Sequence, residues 1–161
     1  MRGEPPRFRF EAAAPADCGA LAQLHAASFP QGWDAQTFAR FLADPHCLTV
    51  VARADTAEPR SDGPAGFVLL RWAADEAEIL TLAVAPELRC QGVARRLLRA
   101  AFGRLREKGV RQVFLEVGAD NHAAAALYSR LGFRDAGRRA GYYREGEGDA
   151  RDARIMRLDL G

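Results

Sequence analysis

The chain has 161 residues, 48% of them hydrophobic, enough for one well-buried core, so a single domain spanning residues 1–161 is expected. Its net charge is only +2, and although 22 of the 23 basic residues are arginine, with Lys108 the sole lysine, it lacks the overall cationic field of a general nucleic-acid binder. Cys18, Cys47 and Cys90 are odd in number and have no metal-ligand spacing, as expected of free thiols in the cytoplasm, and no stretch has the length of a membrane span or the pattern of a secretory signal.

Phe8 and Phe10 alternate with Arg7 and Arg9, the pattern of a half-buried strand. Pro15 and Asp17 then open a helix, with Asp17 as its cap and Leu21, Leu24 and Ala27 or Ser28 as its inner stripe, until Phe29-Pro30-Gln31-Gly32 breaks it. A second helix starts at the cap Asp34, presents Phe38, Phe41 and Leu42, and stops at Asp44-Pro45. Strands follow at Leu48 to Ala52, Gly66 to Trp72 and Glu76 to Val84; the polar loop from Asp55 to Pro64 has the composition of a mobile hairpin connection.

From about Gly92 to Lys108 the apolar residues Val93, Leu97, Leu98, Phe102 and Leu105 recur at helical spacing, with Arg95, Arg96, Arg99 and Arg106 outside the stripe. Val113 to Val117 is a short run expected to be buried on both faces, interrupted by Glu116. Asp120 or Asn121 caps a short helix to Leu131, and strand-like stretches from Phe133 to Tyr143 and Arg154 to Leu158 close the chain. The predicted order is βααβββαβαββ, an α/β fold with a mixed sheet of about seven strands and four helices packed on it.

Between the strand ending at Val84 and the following helix lies Arg89-Cys90-Gln91-Gly92-Val93-Ala94. A helix start offers unpaired N–H groups and the positive end of the helix dipole, and Gly92 and Ala94 leave little side chain in the way of an anion. Arg89 and Arg95 add cations that suit a diphosphate. Taken alone, the hexapeptide fits an ordinary strand-to-helix turn equally well, and it matches neither common nucleotide-binding glycine motif.

This turn and its flanking strand and helix resemble the acetyl-CoA motif of the GNAT (GCN5-related) N-acetyltransferases. Within that superfamily, Leu115-Glu116-Val117, Asn121, Ala124, Leu127-Tyr128 and Leu131-Gly132-Phe133 resemble the RimI family, bacterial enzymes that acetylate the N-terminal alanine of small-subunit ribosomal protein eighteen. Tyr142-Tyr143 and Asp152 to Met156 continue the likeness, and His25 to Pro30 with Trp33 resemble that family's substrate-side helices. The arginine-rich Arg134 to Arg144 stretch and the lengthened Glu145 to Arg151 turn depart from it, where the family shapes its peptide cleft.

The resemblance implies acetyl-CoA as co-substrate and transfer to the N-terminus of a protein, a ribosomal protein included, or to a small amine; His25, His46 and His122 have no ligand-like spacing, so no metal is expected. It implies that Leu82, Ala83, Val84, Arg89, Cys90, Gln91, Gly92, Val93, Ala94, Arg95, Asn121 and Tyr128 bind the cofactor. Glu116 is implied as general base and Tyr128 as the acid for the departing thiolate. From position alone, Glu116 is a strand carboxylate that pairs with an arginine, Tyr128 a core aromatic and Asn121 a plain helix cap. Phe29, Trp33, Tyr142 and Tyr143 are expected to line the acceptor cleft, the tyrosines alternatively being an exposed hairpin pair. A monomer or weak dimer with no nucleic-acid or membrane partner is expected. A non-catalytic acyl-CoA-binding module is the reading from another class; the presence of both Glu116 and Tyr128 argues against it.

Overall fold

A computed structural model of the chain describes residues 6–55, 63–145 and 149–161, with the backbone alone described for 139–145 and 149–151. The elements run β1 (Phe8–Ala12), α1 (Cys18–Ser28), α2 (Ala35–Ala43), β2 (Cys47–Ala54), β3 (Gly66–Ala73), β4 (Glu76–Val84), α3 (Val93–Glu107), β5 (Gln112–Gly118), α4 (His122–Arg130), β6 (Arg134–Glu145) and β7 (Asp149–Asp159). Short 3-10 turns at Pro15–Asp17 and Pro86–Leu88 lead into α1 and the turn before α3. This is the order that the periodicities predict. Most of the loop expected from Asp55 to Pro64, and the centre of the Glu145 to Arg151 turn, lie outside the described residues.

The seven strands form one mixed sheet in the order β1-β2-β3-β4-β5-β7-β6, so the last strand inserts between β5 and β6. β4 and β5 pair in parallel over Glu76–Glu78 and Gln112–Phe114, whereas β5 and β7 are antiparallel along the whole of β5. The chain divides into two compact units, Met1–Arg71 with Leu80–Arg104, and Trp72–Ile79 with Leu105–Gly161.

In the first unit, Cys18, Leu21, Phe38, Val51, Phe67, Leu69 and Ala83 form a buried cluster. Asp34 caps α2 as expected, its Oδ1 accepting from Thr37 N–H at 2.8 Å. Asp17 does not cap α1 with its side chain. Its Oδ2 accepts instead from Ala14 N–H at 2.7 Å and from Arg53 at 2.6 Å, because a fixed guanidinium on β2 gives a carboxylate a charge-assisted bond that a helix amide cannot match. The inner stripe of α1 also differs: Cys18, Leu21 and His25 are buried and Ala27 is exposed, since the turn after the helix folds aromatic rings over His25. α3 belongs to the first unit up to Arg104 and to the second from Leu105; its whole stripe from Val93 to Leu105 is buried, each leucine contributing about 2 kcal/mol of transfer free energy, while Arg95, Arg96, Arg99 and Arg106 are exposed.

In the second unit, β5 alternates: Val113, Leu115 and Val117 are buried, and Phe114 and Glu116 are half-buried on the opposite face. A strand covered on both faces was expected; one face is partly open, and that face carries Glu116. β7 begins well before Arg154 because it has two partners, β5 and β6, to satisfy its backbone groups. Arg154 holds Asp135 of β6 through both carboxylate oxygens, at 2.7 and 3.0 Å.

Candidate active site

The turn at the head of α3 takes its shape from local backbone chemistry. Cys90 and Gly92 both have positive φ, 63° and 80°, which lifts the chain out of the 3-10 turn and aims it along the helix axis. The first helical bond is Arg96 N–H to Gly92 carbonyl at 3.2 Å, so the N–H groups of Val93, Ala94 and Arg95 fall outside the helical ladder. Arg89, Cys90, Gln91 and Gly92 are exposed, and a Cβ placed on Gly92 would meet nothing within 4 Å. Open space, free-pointing amides and the positive helix end fit a diphosphate.

The cations around the turn are not equivalent. Arg89 donates from Nε to the Val84 carbonyl and from Nη2 to Ser28 Oγ, both at 3.1 Å, tying the turn to the end of β4 and to the end of α1. Arg96 lies over the rings of Phe8 and Phe10, at 5.3 and 5.9 Å, and reaches back to the Gln91 and Gly92 carbonyls. Arg95 is exposed on the first turn of α3. Leu82, Ala83 and Val84 lie past the three-residue ladder that β4 shares with β5, with Leu82 half-buried and its two neighbours buried.

The same unit carries the aromatic turn between α1 and α2. Phe29 is 38% exposed, and Trp33 is half-buried with its ring stacked on His25 at 4.8 Å and on Phe41 at 5.3 Å. His25 is not among the individual site residues expected from the sequence. The available signal was its place four residues before Phe29 and eight before Trp33.

The second unit holds the remaining predicted residues. Glu116 projects from the half-open face of β5 with its Oε2 shut off from solvent. Asn121 is exposed and caps α4, its Oδ1 accepting from Ala124 N–H at 3.2 Å, which leaves the amide nitrogen as a donor. Tyr128 is buried on α4, edge-on to Phe133 with ring centroids 5.5 Å apart. Tyr142 and Tyr143 fall on β6, where Tyr143 pairs with Arg151; their side chains lie outside the described residues. Among the described residues, no group of three or more His, Cys, Asp or Glu side chains could hold a metal ion. No helix there is long and apolar enough to cross a membrane.

A strand, a positive-φ turn and a helix are followed along the chain by a strand carboxylate and a helical tyrosine. The chain belongs to the acetyltransferase (GNAT) family, whose model matches residues 19–133. It is 40% identical over 149 residues to the N-alpha-acetyltransferase RimI of Mycobacterium tuberculosis, covering 91% of this chain and 89% of that protein. It is 41% identical over 96 residues to the [ribosomal protein bS18]-alanine N-acetyltransferase of Escherichia coli K12, a match that takes in 60% of this chain and 64% of that protein's length. The crystal structure of the Escherichia coli ribosomal-protein-S18-alanine N-acetyltransferase superimposes with a TM-score of 0.82 at 30% identity, over 96% of this chain and 94% of that one.

Proposed function

We propose that this protein is an acetyl-CoA-dependent N-acetyltransferase that acts in the cytoplasm, as a monomer or weak dimer, on the N-terminal α-amino group of a protein. A ribosomal protein is the favoured acceptor. The observation that carries the reading is the exposed amide turn from Cys90 to Arg95 at the positive end of α3, in a chain that belongs to the GNAT family. The Mycobacterium tuberculosis relative, an N-alpha-acetyltransferase, and the Escherichia coli relative, an alanine N-acetyltransferase, support an α-amino acceptor over a small amine.

An α-amino group is mostly protonated near pH 7 and must lose that proton before it can attack. Glu116 takes it, directly or through one water, from the open face of β5. Acetyl-CoA supplies a thioester whose carbonyl carbon forms the new C–N bond as its C–S bond breaks. An N–H of the Leu82–Val84 stretch donates to the carbonyl oxygen, and the neighbouring backbone groups bind the pantetheine amides as a sheet edge binds a peptide. Asn121 donates to the pantetheine arm from its amide nitrogen. Tyr128 gives its phenolic proton to the departing sulfur, so one proton leaves the amine and one reaches the thiol. No residue is acylated on this route, and Cys90 takes no chemical part.

The test is a panel of peptides beginning with Ala, Ser, Gly and Met, with internal-lysine controls, incubated with acetyl-CoA. Acetylation confined to the α-amino group is expected; turnover only on polyamines, amino acids or aminoglycosides refutes the peptide assignment. Glu116→Gln is expected to lower kcat by about 10²-fold or more with acetyl-CoA affinity retained, and unchanged turnover removes Glu116 as the base.

A further inference from the structure

We propose that His25 is a positioning residue that sets the turn from Phe29 to Trp33 for the acceptor peptide; this rests on the reading of Phe29 and Trp33 as part of the acceptor site. His25 is only 4% exposed, on the last full turn of α1. It holds both ends of the five-residue turn. Its carbonyl accepts from Phe29 N–H at 2.9 Å, where the helix ends, and its Nδ1 accepts from Trp33 N–H at 3.0 Å, where the chain turns toward α2. An imidazole nitrogen that accepts carries no proton, so the ring is the neutral tautomer protonated at Nε2.

The ring does more than accept. It stacks on Trp33 with planes 17° apart, lies 4.5 Å from the Phe29 ring, and meets Phe38 of α2 edge-on at 5.8 Å. These ring contacts fill the space beneath the turn, and the Nδ1 bond to Trp33 N–H sets its path. Gly32 lets the turn close down on the helix, because a Cβ there would stand 3.1 Å from both the Cα and the Cβ of Ala26. The preceding residue, Ser28, is held by Arg89 of the turn before α3. A histidine buried only to fill space would be replaceable by phenylalanine of the same outline; one that orders the turn through Nδ1 would not.

The experiment separates those roles. His25→Phe keeps the ring and loses the acceptor, whereas His25→Asn loses the ring and puts an acceptor oxygen near the Nδ1 position. The positioning role requires His25→Phe to raise the peptide KM about fivefold or more, with the acetyl-CoA KM within about twofold and His25→Asn close to wild type. An unchanged peptide KM in His25→Phe, or an equal rise in both KM values, overturns it. Should His25→Phe fail to fold, His25→Asn decides: a peptide KM within about twofold of wild type supports the role, and a rise of about fivefold overturns it. Wild-type enzyme that turns over no peptide would remove the acceptor reading. Emission then decides, in a Trp72→Phe background where Trp33 is the sole tryptophan: a shifted Trp33 spectrum on adding His25→Phe, with the melting midpoint retained, supports the positioning of the turn, and an unchanged spectrum overturns it.

Discussion

Gly92→Ala isolates what the positive-φ turn contributes to cofactor binding. At φ 80° an alanine pays the left-handed backbone penalty, about 1–2 kcal/mol, but its Cβ meets nothing within 4 Å, so no steric overlap adds to it. For a chain of this size, each kcal/mol lowers Tm by roughly 2–4 °C, and a drop of that order is expected. If the residue relieves the strain by moving to negative φ, the Val93 N–H swings away from the site. Loss of one hydrogen bond to a charged group costs about 1.5–3 kcal/mol, or roughly tenfold to a hundredfold in Kd. Calorimetric titration with acetyl-CoA measures the second effect, and thermal melts with and without acetyl-CoA measure the first together with the stabilisation that ligand binding confers. A Tm that barely falls, which means the backbone has left positive φ, together with an unchanged Kd would refute the assignment of this turn to the diphosphate.

Thr81 Oγ1 is buried on β4 with no hydrogen-bond partner among the described residues, so Thr81→Val is expected to stabilise the protein by about 1 kcal/mol in chemical denaturation; a clear loss of stability would mean the hydroxyl is satisfied. The thiols should separate by reactivity: Cys90 is exposed and Cys18 buried, and Cys47 is pushed up to about 11, by burial first and by the Asp44 carboxylate second. A disulfide reagent at pH 8 should therefore label Cys90 first, acetyl-CoA should protect it, and fast labelling of Cys47 by mass spectrometry would contradict the assignment. Burial holds the His25 imidazole below its ordinary value of about 6.5, so the unfolded chain takes up a proton that the folded one resists. That contribution to stability is complete above about pH 6.5 and is lost as pH falls from there through the depressed folded value. Wild-type Tm should fall more steeply than that of His25→Asn between pH 7 and about 5, and parallel curves would disprove it.

Signals confined to a few neighbouring residues were legible in the sequence. The five-residue stripe of α3, the caps Asp34 and Asn121, and the Gly92 turn each depend on spacing or backbone freedom within one helical turn, and each is found where the residues place it. Glu116 and Tyr128 were also assigned to their strand and helix, the one from a short apolar run and the other from the cap that opens its helix, although the open face of β5 was not. Pairings across long stretches of chain were not legible. Asp17 turned from its helix to Arg53, 36 residues away, and Arg89 reached Ser28, 61 residues back. β7 entered the sheet between β5 and β6, an order that no strand's own alternation encodes. His25 became a buried acceptor only because Gly32 lets the chain fold Trp33 back over it. Local sequence determines which elements form and which face each presents; the tertiary path of the chain decides which polar atoms meet, since a hydrogen bond joins whatever the fold brings within about 3 Å, however far apart in sequence.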